Sequence, residues 1–292
     1  MTIWIAPSPL DKSEEHRADD AWVQARWEEA HALVLAVDPA GLVAWRGEKL
    51  DFVRPWGDFS PSEHLLLGLV DQRPYFAIAA DLADVGVPLR SVMDQLGSAD
   101  LQIAFAAVGL VGWHSESGFC PRCGSGTAPR LAGQARECRG CQRELYPRVD
   151  PAVIVAVQDS EDRLLLGRQR VWEPGRMSVF AGFVEVGESL EQAVHREVAE
   201  EVGLVLEELR YLGSQPWPFP RSFMVAFVAR TGDPNVTLDP TEIEEARWFN
   251  RAELRAAVAA REVSLPPTTS IARRMIQAWQ SGHLTPGSHV LA

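Results

Sequence analysis

The chain has 292 residues, 46% of them hydrophobic and 23% charged, with a formal net charge of −12. That length accommodates two or three domains and a substantial core, and the acidic balance rules out a global basic field for nucleic acid while leaving room for a local basic patch. No uninterrupted apolar stretch is long enough to cross a membrane, Met1–Leu10 lacks the basic-then-apolar pattern of an export signal, and four cysteines in two close pairs suit metal in a reducing cytoplasm better than disulfides.

Residues 1–112 read as a small mixed α/β domain, mostly antiparallel. Asp19–Ala30 is charged and fits a surface helix. Ala32–Val37, the turn string Asp38-Pro39-Ala40-Gly41 and Leu42–Trp45 make one hairpin; His64–Val70, Asp71-Gln72-Arg73-Pro74 and Tyr75–Ala79 make another. Asp100 is placed to cap a helix carrying Leu101, Ile103, Ala104, Val108 and Val111. The region holds no recognisable catalytic constellation, so its expected role is structural, in dimer formation or in covering a substrate.

Residues 113–146 contain Cys120-Pro-Arg-Cys123 and, fourteen residues on, Cys138-Arg-Gly-Cys141. Paired C-x-x-C knuckles at this separation predict a zinc ribbon, and four thiolates close a tetrahedron with no open position, so the zinc is expected to be structural. Free or redox thiols are the alternative. Gly124 and Gly140 suit the knuckle turns. Arg122, Arg130, Arg136, Arg139 and Arg143 make the segment locally basic, which serves either a solvated surface or contact with phosphate or RNA.

Residues 147–292 carry the chemistry. Pro151–Val157, Arg163–Gly167 and Ser178–Phe183 read as β-runs. Ser189 with Gln192 is a capping-box pair and Gly203 a helix stop, which predicts a helix over 190–202. At about 100° per residue, Leu190, Ala193, Val194, Val198 and Val202 share one side, with Glu197 and Glu201 in its middle and Glu200 at its edge. An acidic run is ordinarily a solvated face, but such a face points away from the valines. Inward carboxylates need partners, and the single Arg196 is not expected to neutralise all three. Hard oxygen ligands then point to Mg²⁺ or Mn²⁺. Downstream, Ser214-Gln-Pro-Trp-Pro-Phe-Pro-Arg-Ser222 alternates three prolines with two aromatics. It reads either as a stiff loop presenting Trp217 and Phe219 to a flat ring or as a rigid structural turn.

Gly182, five residues, Glu188, seven residues, then Arg196-Glu197-Val198-x-Glu200-Glu201-x-Gly203-Leu204 resembles the full signature of the Nudix hydrolases. The Ser214–Ser222 string, Tyr146-Pro-Arg-x-Asp-Pro151 and the order of the three regions resemble the NADH pyrophosphatase branch of that family. The resemblance implies a Nudix α/β/α sandwich behind a zinc ribbon and a small mixed α/β domain. It implies metal on Glu197, Glu201, the Ala181 carbonyl and a later acid, Glu242 of Asp239-Pro-Thr-Glu242, with Glu244 and Glu245 as competitors, and Glu200 assisting or activating water. Either Glu200 or Glu201 would take the proton. It places the dinucleotide on Gln215, Pro216, Trp217, Pro218, Phe219, Pro220, Arg221 and Ser222, with Phe183 stacking and Arg90, Tyr146 and the Ala272 backbone adding contacts. At Gly133 the family can carry a substrate-touching acid, which this chain lacks. The implied activity is hydrolysis of NADH or NAD⁺ to AMP and nicotinamide mononucleotide, and removal of the NAD cap from RNA, by a cytoplasmic homodimer. Hydrolysis of diadenosine polyphosphates or other nucleoside diphosphate derivatives, or a zinc-ribbon nucleic-acid-binding regulator, are the alternatives.

Overall fold

The computed structural model describes residues 7–284, so most of Met1–Leu10, and with it the expectation about an export signal, lies outside the described residues. Among the described residues the chain forms two compact units: 7–149 with Trp217–Arg221, and Asp150–Pro216 with 222–284.

In the amino-terminal unit, helix α1 (Asp20–Trp27) starts at Asp19, whose carboxylate accepts from the Ala21 and Trp22 N–H groups. Strands β1 (Leu33–Val37), β2 (Leu42–Arg46), β3 (Lys49–Leu50), β4 (Phe52–Val53), β5 (Leu65–Val70), β6 (Arg73–Ala79) and β7 (Gly86–Pro88) make a seven-stranded sheet of order β3-β2-β1-β6-β5, with β4 on β1 and β7 on β2. The second hairpin turns on only two residues, Asp71 (φ 49) and Gln72 (φ 64). A left-handed pair matches the strand twist, so Arg73 and Pro74, expected in the turn, instead open β6. β1 and β6 pair in parallel, making the sheet mixed; the chain lays down β2 to β5 between them, the long crossover that parallel neighbours require.

Helices α2 (Leu89–Val92) and α3 (Ser98–Glu116) follow. Asp100 is not the cap of α3: Gly97 occupies that position, and Asp100 lies in the first turn. There a carboxylate still complements the helix dipole, although desolvation raises its pKa. The cysteine segment forms a three-stranded sheet from β8 (Thr127–Arg130), β9 (Ala135–Cys138) and β10 (Glu144–Leu145).

The second unit contains β11 (Asp150–Gln158), β12 (Leu164–Gln169), β13 (Phe180–Phe183), α4 (Leu190–Val202), β14 (Glu208–Trp217, its last residue grouped with the other unit), β15 (Ser222–Arg230), β16 (Ile243–Phe249), α5 (Arg251–Ala259) and α6 (Ile271–Gln280). Its sheet runs β14-β15-β11-β12-β16, with β13 on β11. All of β11 from Ala152 to Gln158 is buried, because both faces of the sheet are covered. Val153, Val155 and Val157 pack with Ala193, Val194, Val198 and Val202 of α4. Ile154 and Ala156 pack with Leu254 of α5 and Met275, Ile276 and Trp279 of α6. This is an α/β/α sandwich.

The proline string is not a loop throughout: Ser214–Trp217 belong to β14. That strand lies at the sheet edge, where a missing N–H is tolerated. Among the described residues no helix is long and apolar enough to cross a membrane.

Candidate functional site

The signature helix follows its local chemistry closely. Ser189 Oγ accepts from Gln192 N–H while the Gln192 amide accepts from Ser189 N–H, and Gly203 closes the helix at φ 69. Beside it, β13 pairs with β11 so that Ala181 faces Ile154, and Gly182 faces Val153.

Gly182 is required by space. A Cβ there would meet the Glu197 carboxylate at 1.8–2.1 Å. Gly182→Ala therefore displaces Glu197, and the expected result is a turnover loss on the order of 100-fold with little change in melting temperature, read by steady-state kinetics and thermal denaturation.

Arg196 does more than its sequence suggests. Its guanidinium donates to Glu188 Oε1 (2.6 Å) and Oε2 (3.0 Å), to Glu197 Oε1 (2.9 Å), to Glu200 Oε2 (3.0 Å) and to the Phe183 carbonyl (2.9 Å). Of the three inward acids it reaches Glu197 and Glu200 but not Glu201, in line with the expectation that one arginine could not neutralise all three; its third carboxylate partner is Glu188. These bonds hold the Glu188 carboxyl down to about 2 and raise the arginine further above its ordinary value.

Glu201 is left out. It is 3% exposed, and its Oε2 is buried without a hydrogen-bond partner. Desolvation, then the charges of Glu197, Glu242 and Glu200, push its pKa up to about 8. Desolvation likewise raises Glu197, against the opposing pull of Arg196. The turn bearing Glu242 is tied to the end of α4: Asp239 N–H donates to the Glu201 carbonyl (3.1 Å) and Thr237 N–H to the Val202 carbonyl (2.9 Å). Asp239 in turn accepts from Thr241 N–H (2.8 Å) and Oγ1 (2.7 Å). Of the competing acids, Glu244 pairs with Arg168 at 2.6 Å and Glu245 lies 4.0 Å from it, whereas Glu242 acts on Glu197 and Glu201. An orphaned buried carboxylate oxygen between like charges fits a divalent cation. The tethers through Asp239 and Thr237 had no visible signal in the sequence.

Among the described residues, the ligand-type side chains already drawn within 4.8 Å of one another are Cys120, Cys123, Cys138 and Cys141. Cys120 and Cys141 Sγ are 3.7 Å apart, Cys123 and Cys138 Sγ 3.4 Å. A tetrahedral zinc with 2.3 Å bonds has sulfur edges of about 3.8 Å, so the set fits a closed metal centre. The Ser125 N–H and hydroxyl, with Cys138, hold the Cys123 thiol down to about 6. Gly133, where the family can carry an acid, has φ +90, and a Cβ there would meet Leu65 at 2.5 Å; the fold leaves no room for a side chain.

The proposed dinucleotide residues divide. Gln215 is fully buried and its amide is spent on the fold, donating to the Thr269 carbonyl (2.9 Å) and accepting from Ile271 N–H (2.6 Å). It anchors the start of α6, where Ala272 lies in the first turn and is itself buried. Pro216 is exposed on β14, and Ser222 opens β15 opposite Asp150. Phe183 is 57% exposed. In the amino-terminal unit, the Arg90 guanidinium lies 5.7 Å from the Trp217 ring centroid and 5.0 Å from that of Phe219, and these two rings meet edge-on at 5.3 Å. Pro218, Phe219, Pro220 and Arg221 line a cavity of about 410 Å³ there, and Tyr146 lines a second of about 420 Å³.

A NUDIX domain profile matches residues 148–268. The NAD-capped RNA hydrolase NudC of Mycobacterium bovis is 40% identical over 293 residues, 92% of each chain. The mitochondrial NAD(P)H pyrophosphatase NUDT13 of Mus musculus is 37% identical over 220 residues, covering 70% of this chain and 62% of its own. Nudix hydrolase 19, chloroplastic, of Arabidopsis thaliana is 41% identical over 201 residues, covering 64% and 46%. With its signature on the sandwich helix, its four-cysteine centre and this identity across both units, the chain belongs to the Nudix hydrolases, in the NADH pyrophosphatase branch.

Proposed function

We propose that the chain hydrolyses the diphosphate of NADH and NAD⁺ to AMP and nicotinamide mononucleotide, and removes the NAD cap from RNA 5′ ends. The observation that carries this is Glu201, a buried carboxylate with an unpartnered oxygen beside Glu197 and Glu242. Mg²⁺ or Mn²⁺ would be held by Glu197, Glu201, Glu242 and the Ala181 carbonyl, with Glu200 assisting. Bound there, the cation supplies charge neutralisation for the diphosphate and acidifies a water. Arg196 fixes Glu197 and Glu200 in place for the attack. Water oxygen bonds to phosphorus, the anhydride P–O bond breaks, and Glu200 or Glu201 takes the water proton.

Phe183, Trp217 and Phe219 would stack the rings, Pro216, Pro218 and Pro220 stiffen that surface, and Arg221, Ser222, Arg90, Tyr146 and the Ala272 backbone add polar contacts. Gln215 supports the site from within the fold. The four cysteines would hold a structural zinc. The three regions 1–112, 113–146 and 147–292 would act as separate domains of a cytoplasmic homodimer.

A panel of NADH, NAD⁺, diadenosine polyphosphates and NAD-capped RNA, each with Mg²⁺ and Mn²⁺, tests the reading. The NAD-type substrates should be turned over best; preference for diadenosine polyphosphates overturns it. Trp217→Ala should raise KM for NADH about 3- to 10-fold while kcat changes little, the loss of one stacking contact.

A further inference from the structure

Strand β16 is irregular at its start. Its register on β12 runs in step from Phe249 opposite Leu164 to Glu245 opposite Arg168, and then Ile243 lies opposite Gln169. Glu244 is therefore the extra residue of a β-bulge, and Arg168 faces two residues where a regular ladder has one. The side chains record the slip. Ala246 and Trp248 pack against the α4 face of the sheet with Ile243, while Phe249 lies in the core of the opposite face. Strict alternation from Trp248 and Ala246 would put Glu244 in the α4 core and turn Ile243 out of it. The bulge keeps Glu244 out and returns Ile243 to that core.

The return of Ile243 bears on the residue before it. Glu242 N–H (3.2 Å) and Ile243 N–H (2.9 Å) both donate to the Asp239 carbonyl, and Asp239 N–H donates to the Glu201 carbonyl. Asp239 thus links the end of α4 to Glu242, and the bulge sets where the strand leaves that turn.

The bulge also has a cost. It brings two carboxylates, Glu244 and Glu245, against one partner on β12, where like charges repel. Arg168 meets both. Its Nη2 lies 2.6 Å from Glu244 Oε2 and its Nε 4.0 Å from Glu245 Oε2. Its Nη1 donates to the Trp172 carbonyl at 3.0 Å, between β12 and β13. The arginine side chain is only 12% exposed, unlike the solvated surface pairs that contribute little.

We propose that Arg168 is a positioning residue for the metal site: by clamping the Glu244 bulge it fixes the turn that sets Glu242 alongside Glu197 and Glu201. This rests on the reading of Glu242 as a metal ligand. The sign of the effect separates positioning from charge. The field of a cationic side chain opposes a bound cation, so removing that field alone would tighten Mg²⁺ binding. Losing the clamp loosens it.

The test titrates Mg²⁺ by calorimetry, without substrate, into wild type, Arg168→Met, Arg168→Gln, Arg168→Lys, Glu242→Gln and the double variant Arg168→Gln/Glu242→Gln. The apparent Mg²⁺ constant and KM are also measured on NADH. Mg²⁺ affinity should fall on the order of tenfold in Arg168→Met and Arg168→Gln. Arg168→Lys should recover most of it, and the double variant should bind no more weakly than Glu242→Gln. The Mg²⁺ constant should move more than KM for NADH at saturating Mg²⁺. Unchanged or tighter Mg²⁺ binding in Arg168→Met and Arg168→Gln overturns the proposal, and so does additive weakening in the double variant. If Arg168→Met does not fold, Arg168→Gln decides by the same measure. If Glu242→Gln binds Mg²⁺ like wild type, the ligand reading of Glu242 fails and the positioning role falls with it. If wild type does not hydrolyse NADH, the proposed activity fails, and calorimetry still decides the role of Arg168.

Discussion

Glu201→Gln should lower turnover of NADH by on the order of 10³-fold or more and at the same time raise the melting temperature of the metal-free protein at pH 8.5. The two effects share one cause. Burial, then the charges of Glu197, Glu242 and Glu200, lift the folded pKa of Glu201 from 4.5 to about 8. For an acid, a raised folded pKa means that the unfolded chain favours the charged form more than the folded one does. The resulting cost is absent below about 4.5, grows as pH rises towards 8, and is complete above it. Glutamine carries no charge at any of these values. The variant should therefore melt above wild type at pH 8.5 and close to it at pH 4.5. Adding Mg²⁺ should raise the wild-type melting temperature at pH 8.5, since binding to the folded state stabilises it, and raise that of the variant much less. Thermal denaturation at both pH values with and without Mg²⁺, together with initial rates, reads all of this. Near-normal turnover, or a melting difference that does not depend on pH, removes Glu201 from the site.

The parts of the molecule legible in the sequence are those fixed by local chemistry. The bounds of α4 follow from Ser189, Gln192 and Gly203, and the inward turn of Glu201 follows from its spacing to Val194, Val198 and Val202. The cysteine cluster follows from two knuckles. What was hidden depends on contacts between segments distant in the chain. Arg196 reaches Glu188 and the Phe183 carbonyl because β13 and the loop after it fold back along the helix. Composition counts one arginine against four acids and cannot count its five donors. Gln215 looked like part of a binding string because its neighbours are aromatic. Its burial comes from the segment Thr269–Ile271, more than fifty residues away. Strand pairing hid the rest: prolines suggest a loop unless the strand is known to lie at a sheet edge.

Cys138→Ser should empty the proposed zinc centre and lower the melting temperature of the amino-terminal unit by on the order of 10 °C. The segment has little else to hold it. Its strands have 4, 4 and 2 residues, and sheets this small are marginal in water without a large apolar face. Cys138 is fully buried, and the Gly140 and Cys141 N–H groups point at its sulfur at 3.4 and 3.3 Å. Those donors fix the sulfur's position for a metal ligand. Unfolding would spread, because the ribbon is pinned to α3. Arg136 donates to His114 Nδ1 (2.7 Å) and Thr127 Oγ1 (2.7 Å), which leaves His114 Nε2 to donate to the Gly133 carbonyl (2.7 Å). The second unit carries its own core and its own acids, so its melting transition should stay in place. Zinc analysis, which should fall from one ion per chain towards none, and a two-transition melting curve read the outcome. Brief removal of Mg²⁺ should instead be reversed by adding it back, with no loss of zinc. A Cys138→Ser protein that keeps a full zinc ion and both transitions would show that the four sulfurs do not form the metal centre.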